Sequence, residues 1–153
     1  MKNFDDWNQK KKNLDGLAYG PFCKEGEVWF TSIGLNIGDE EDGKNMEFER
    51  PVLVLRKFNK NIFVGVPLSS VAKPNNKYYV TIRMNGKEAS VIISQVRLYS
   101  AKRLRRRMAI IDNKQLLSVV RAAQGTMSPI KLNKKRTLAN QGPRGPKAFV
   151  PIC

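Results

Sequence analysis

Two polar residues stand at the ends of apolar runs in the middle of this sequence. Arg50 precedes Pro51-Val52-Leu53-Val54-Leu55, and Ser69 follows Ile62-Phe63-Val64-Gly65-Val66-Pro67-Leu68, with a polar turn around Asn59 to Asn61 between the runs. Such runs read as a strand hairpin buried on both faces, with Pro51 and Pro67 at positions where no ladder donor is needed. In an antiparallel pair the start of one strand lies beside the end of the next, so Arg50 and Ser69 can share one site. The chemistry that suits them is performed on phosphate. A guanidinium stays charged and matches two phosphate oxygens, and a hydroxyl both donates and accepts. Taken alone, the pair reads more readily as a surface cation before a strand and a strand-end cap.

Composition narrows the classes. The 153 residues carry a net charge of +15, from 28 Lys and Arg against 13 Asp and Glu, which points to a polyanionic partner. There is no histidine, so paired-histidine RNA cleavage is excluded and the commonest zinc ligand is missing. Cys23 and Cys153 are too few for a metal cluster and are expected to be free thiols in a reducing cytoplasm. No apolar run reaches the roughly 18 residues of a membrane span, and the start, Met1-Lys2-Asn3-Phe4-Asp5-Asp6, turns acidic at once. The expectation is a soluble cytoplasmic protein with no metal and no cofactor.

The elements that must position these residues follow from periodicity. Phe4, Trp7, Lys11 and Leu14 fall on one helical face after a capping Asn3, which predicts a helix over 4–14 that Asp15-Gly16 ends. Its Trp7 is expected to pack on the main sheet, since an aromatic at helical spacing is more often core; the alternative is that Trp7 and Lys10 to Lys12 contact RNA. A linker runs to Lys24, a strand covers Glu27 to Ser32, and a long acidic, glycine-rich loop covers 33–48, a length that suggests function. After the 49–70 hairpin, a loop over Val71 to Asn76 leads to a strand over Tyr78 to Met84. Asn85-Gly86 signals a two-residue turn, and Ala89 to Leu98 returns as one strand. Lys102 to Arg107 holds five cations in six residues and reads equally as a solvated basic turn or as a phosphate contact, before the apolar run Met108 to Ile111. Asp112 caps a last helix stopped by Gly125. From 126 onward, four prolines, two glycines and six cations with few large apolar residues describe a disordered basic tail. The expected organisation is an N-terminal helix and linker (1–23), one domain (24–125) and a tail (126–153). The fold class is α+β, mainly β: four to six short, mostly antiparallel strands in a small barrel or curled sheet, with a helix at each end.

Gly-Glu-Val-Trp-Phe at 26–30, Glu-Arg-Pro-Val-Leu-Val-Leu at 49–55, Val-Pro-Leu-Ser-Ser at 66–70 and Ser-Gln-Val-Arg-Leu at 94–98 occur in an order and spacing that resembles the MazF/PemK family of toxin endoribonucleases. The resemblance covers roughly residues 24 to 122. It implies an SH3-like barrel of the MazF/PemK/CcdB type, a homodimer whose two-fold groove carries single-stranded RNA, and an acidic cognate antitoxin as partner. The family's catalytic Arg-Pro arginine and the Ser or Thr two residues after its Val-Pro proline are here Arg50 and Ser69. The loop over 33–48 then borders the RNA site and changes state when the antitoxin binds. Short-loop members place a Gly-x-Glu close before Arg-Pro, whereas Glu40 lies ten residues before Arg50. Expected RNA contacts are Glu40, Lys44, Ser70, Lys77, Gln95, Arg97, Lys102 and Arg103.

RNA cleavage by the 2′-hydroxyl needs three tasks: removing that proton, stabilising charge on the phosphoryl oxygens and protonating the departing 5′-oxygen. Arginine, with a pKa above about 12, is a poor base and suits the second task. In-line attack needs a flexible backbone, so single-stranded mRNA is the expected substrate, with a 2′,3′-cyclic phosphate and a 5′-hydroxyl as products. The alternatives on the same fold are a non-enzymatic toxin like the gyrase inhibitor CcdB and a plain nucleic-acid-binding barrel.

Overall fold

The computed structural model describes residues 1–128 apart from 72 and 74; the basic tail expected over 126–153 lies almost wholly outside the described residues. Seven strands form, one more than the upper expectation: β1 (Glu27–Ser32), β2 (Glu49–Lys57), β3 (Ile62–Ser69), β4 (Tyr79–Met84), β5 (Lys87–Ile92), β6 (Arg97–Ser100) and β7 (Leu104–Ile110). Two helices flank them, α1 (Phe4–Asp15) and α2 (Asn113–Met127). Every pairing is antiparallel, in the order β4-β5-β3-β2-β1-β7, with β6 also paired to β3.

The central hairpin is buried on both faces, as its unbroken apolar runs require. Leu53, Leu55, Val66 and Leu68 join one core cluster with Val28, Val91 and Val119; Val52, Val54 and Phe63 join a second with Trp29, Tyr99 and Leu104. α2 closes the first cluster through Val119, with Leu116, Val120 and Ala122 alongside. Asp112 caps it by accepting the Gln115 N–H at 2.8 Å. The helix runs through Gly125 to Met127 because nothing crowds that glycine and its φ is ordinary, so the expected stop is two residues early.

Two further expectations are corrected. The return strand expected over 89–98 is broken: β5 ends at Ile92, one 3-10 turn spans Ile93–Gln95, and β6 then pairs with β3. The break lets one chain segment pair with β4 and the next with the far end of β3, which a single straight strand cannot do. The cationic run at 102–107 is a short 3-10 turn followed by the sheet-edge strand β7, not a basic turn. Charged residues on an unpaired strand edge discourage pairing with another chain. Asn85-Gly86 makes the expected tight turn, both residues at positive φ (50° and 73°). The sheet curls until Asn85 Nδ2 donates to the Met108 carbonyl of β7 at 3.3 Å, without a ladder between β4 and β7.

Candidate functional site

The register places Arg50 opposite Thr31 of β1 and Ser69 opposite Ser90 of β5, so the two residues lie at the same end of the β2–β3 pair. Both line a cleft of about 540 Å³ with Lys44, Pro51, Leu68 and Ser70, and the β4–β5 turn forms its far wall. Arg50 is buried, and its guanidinium is held on three sides. Nε donates to the Asp42 carbonyl at 2.7 Å, one terminal nitrogen donates to the Leu68 carbonyl at 3.4 Å, and the other pairs with Glu41 Oε2 at 2.8 Å. Guanidinium has five N–H donors. Two make hydrogen bonds here and Glu41 adds an ion pair, which leaves further N–H donors on the terminal nitrogens without a hydrogen-bond partner among the described residues. Terminal N–H donors of a guanidinium suit a phosphate. Ser69 is partly exposed, and its Oγ accepts the Val71 N–H at 3.2 Å, which leaves its own hydroxyl proton to donate.

The loop over 33–48 supplies two of those three holds, and α1 seats the loop. Trp7 is buried against it: its ring lies 5.5 Å from that of Phe48, and a Cβ on Gly34, whose φ is +90°, would overlap the indole. Lys2 Nζ donates to the Asn36 carbonyl and pairs with Asp42, both at 2.7 Å, and Lys10 pairs with Glu47. Trp7 therefore packs on the loop rather than on the main sheet. The far side of the loop is pinned by Gln95, which donates to the Asp39 carbonyl at 3.2 Å and accepts the Glu41 N–H at 3.4 Å.

Seven of the eight expected RNA contacts divide into two groups. Lys44 and Ser70 share the cleft with Arg50 and Ser69. Glu40, Gln95 and Arg97 instead line a groove on the other side of the loop, which Arg103 and Lys102 extend along α1. Lys77 is exposed on the β3–β4 loop, its Nζ over the Tyr78 ring, and lines neither. Glu40 accepts the Ile37 N–H at 3.1 Å, and it is Glu41 that reaches Arg50. Nothing in the acidic run 39–42 distinguishes one carboxylate from its neighbour. The loop's backbone path decides it.

Positive charge is crowded under that second groove. Burial, then the nearby Arg97 charge, lowers the pKa of the Arg103 guanidinium, which donates to the Ser32 carbonyl at 3.0 Å and lies 5.5 Å from the Trp7 ring. Burial pushes the Tyr99 phenol up to about 12 despite Arg97, Arg103 and Arg50 around it, and its hydroxyl has no hydrogen-bond partner among the described residues. Among the described residues no three His, Cys, Asp or Glu side chains come together as a metal site, Cys23 is a buried free thiol, and no helix is long and apolar enough to cross a membrane.

Comparison with known proteins then bears on this geometry. The model of a family described as PemK-like, MazF-like toxin of type II toxin-antitoxin system matches residues 24–126. The fold is similar to MazF from Deinococcus radiodurans, with a TM-score of 0.54 at 19% identity over 71% of this chain and 97% of that one. It is also similar to MazE-MazF from the same organism (0.51, 22% identity, 71% and 96%) and to the Mycobacterium tuberculosis toxin MazF-mt6 (0.50, 11% identity, 66% and 95%). At these identities the structures speak for the fold. No curated protein sequence gives a significant match. α1 and the linker lie before the matched segment.

Proposed function

The chain belongs to the PemK-like, MazF-like toxins of type II toxin-antitoxin systems, and from that premise we propose that it is an endoribonuclease that cuts single-stranded RNA without a metal ion. The observation that carries the reading is the Arg50–Ser69 cleft, where a guanidinium held on three sides keeps terminal N–H donors in the same cleft as a serine hydroxyl. The substrate's 2′-oxygen attacks phosphorus, the bond to the 5′-oxygen breaks, and a proton passes from the first oxygen to the medium while another reaches the second. Arg50 holds the two non-bridging oxygens as their charge grows, and fixed donors of this kind act without reorganising. Ser69 donates to the same phosphate and sets its angle to the attacking oxygen. The products are a 2′,3′-cyclic phosphate and a 5′-hydroxyl. An acidic antitoxin segment lying across the cleft would silence it, consistent with the net charge of +15, and a homodimer is the expected working form.

The test is direct. Purified protein is incubated with long single-stranded RNA in excess chelator and the ends of the fragments are identified. Cleavage with cyclic phosphate ends is expected, with Arg50→Ala slower by about 10² to 10³, as when one oxyanion donor is lost. Dependence on added magnesium, or full activity in Arg50→Ala, moves the reading to a binding protein or a non-enzymatic toxin of the same fold.

A further inference from the structure

We propose that the groove between α1 and the 33–48 loop is a second phosphate-binding channel for the same single RNA strand, with Lys11, Arg97 and Arg103 as its principal contacts. This rests on the reading of RNA as substrate and adds where the strand runs beyond the Arg50 cleft.

The groove is continuous. A cavity of about 380 Å³ beside Lys12 and Lys102 shares Asn8, Lys11 and Arg103 with one of about 550 Å³ over Trp7, and this shares Asn36, Glu40 and Arg97 with a third of about 380 Å³ at Gln95. Five cations line it: Lys11, Lys12, Arg97, Lys102 and Arg103. Among the described residues, none of the five has a carboxylate within 4.0 Å, whereas Lys2, Lys10, Arg50, Arg56, Arg83 and Arg107 are all paired. The carboxylates that do line the groove, Asp5, Asp15 and Glu40, are therefore turned to other neighbours or to solvent. Arg97 and Arg103 are half-buried as well as close enough for their charges to oppose each other. Two guanidinium groups crowded in this way without a counter-charge are relieved by an anion entering between them.

A nucleic-acid strand fits better than a compact anion because the groove is long and open and part of its lining is exposed apolar surface, Phe4 and Ile37. Positive grooves that follow the backbone, with apolar or aromatic surface for the bases, are how single strands are held without sequence preference. The channel also adjoins the cleft. Arg103 is bonded to the Ser32 carbonyl, Ser32 pairs with Glu49, and the next residue is Arg50. Leu104 and Arg50 both pair with Thr31, so they are two strand spacings apart, roughly 10 Å.

The experiment titrates salt against binding of two labelled 2′-O-methyl RNAs, one trinucleotide and one of about twenty nucleotides, which cannot be cut because the attacking hydroxyl is blocked. For the long strand, Lys11→Ala should weaken binding and flatten the slope of log K against log salt by about 0.7, the value of one phosphate contact on a single strand. Lys11→Arg should restore the slope, Lys11→Ala with Arg97→Ala should flatten it further, and trinucleotide binding should not change. Lys11 is exposed on α1, so its replacement leaves the fold intact. An unchanged slope for the long strand, an equal loss for the trinucleotide, or a loss seen only for an acidic antitoxin peptide would each overturn the channel. Because the probe is uncut, these outcomes are independent of whether cleavage is found, which is the failure specific to the endoribonuclease reading.

Discussion

Arg50 acts less as a free cation than as a group whose orientation is fixed from three directions. That distinguishes it from lysine, which has one compact charged centre and no fork. Arg50→Lys keeps the charge but cannot reach the Asp42 and Leu68 carbonyls and Glu41 together, so its cleavage rate is expected within about tenfold of Arg50→Ala, while RNA binding falls much less because other cations still contact the backbone. Single-turnover rates and binding of uncut RNA, measured side by side, separate the two effects. Ser69 offers a matching test of its hydroxyl. Ser69→Ala should slow the chemical step, and Ser69→Thr, which keeps the hydroxyl and adds a methyl at a partly exposed position, should retain it. Equal loss in both would show that the hydroxyl has no part.

Among the elements, the unexpected relation is between α1 and the 33–48 loop. The helix itself follows from its sequence: Asn3 Oδ1 accepts the Asp6 N–H, and Trp7 and Leu14 are the buried residues of its apolar face. Which surface that face covers does not follow, because an apolar stripe specifies burial and not the partner. The answer lies in the overlap of Trp7 with Gly34 and Phe48. Trp7→Ala removes a buried indole, a change that costs on the order of 3 kcal/mol in a packed site. It should raise backbone hydrogen exchange across 35–48 and slow cleavage while β2 and β3 stay protected. Gly34→Ala should do the same by expelling the indole and straining a residue at positive φ. Protection spread evenly over the whole sheet in both variants would mean that α1 stabilises the fold generally instead of seating the loop.

At the scale of the molecule, one buried charge ties the two strands nearest the sheet edge together. Burial pushes the Glu27 carboxyl upward, but the Lys24 N–H, the Trp29 indole and Arg107 on β7 all donate to it and hold it below its ordinary value of 4.5. A carboxylate depressed on folding stabilises the protein above its unfolded value, and that contribution disappears as the pH falls through the lower folded value. Thermal midpoints should therefore drop below about pH 4.5 in the parent protein. Glu27→Gln should begin with a lower midpoint and lose less over the same interval. Midpoints that fall in parallel would assign the acid sensitivity to other carboxylates.

The local order of the chain was determined by the sequence itself: apolar runs long enough to bury both faces of β2 and β3, an Asn-Gly pair whose positive φ demands a tight turn, and capping residues at Asn3 and Asp112. Four short segments in a fixed order were enough to point to the family, and the meeting of Arg50 and Ser69 was legible too, since it needs only antiparallel pairing of adjacent strands. Contacts between residues far apart in the chain were decided by tertiary structure. Glu41 rather than Glu40 meets Arg50 because the loop's path, set by Lys2 and Trp7 at the N-terminus and by Gln95 from a distant segment, turns one carboxylate inward and its neighbour away. The cations from 97 to 103 likewise parted from the Arg50 cleft when the 3-10 turn at 93–95 redirected the chain to the far end of β3. Periodicity and propensity act over a few residues, whereas these arrangements depend on which surfaces remain to be covered once the strands have paired.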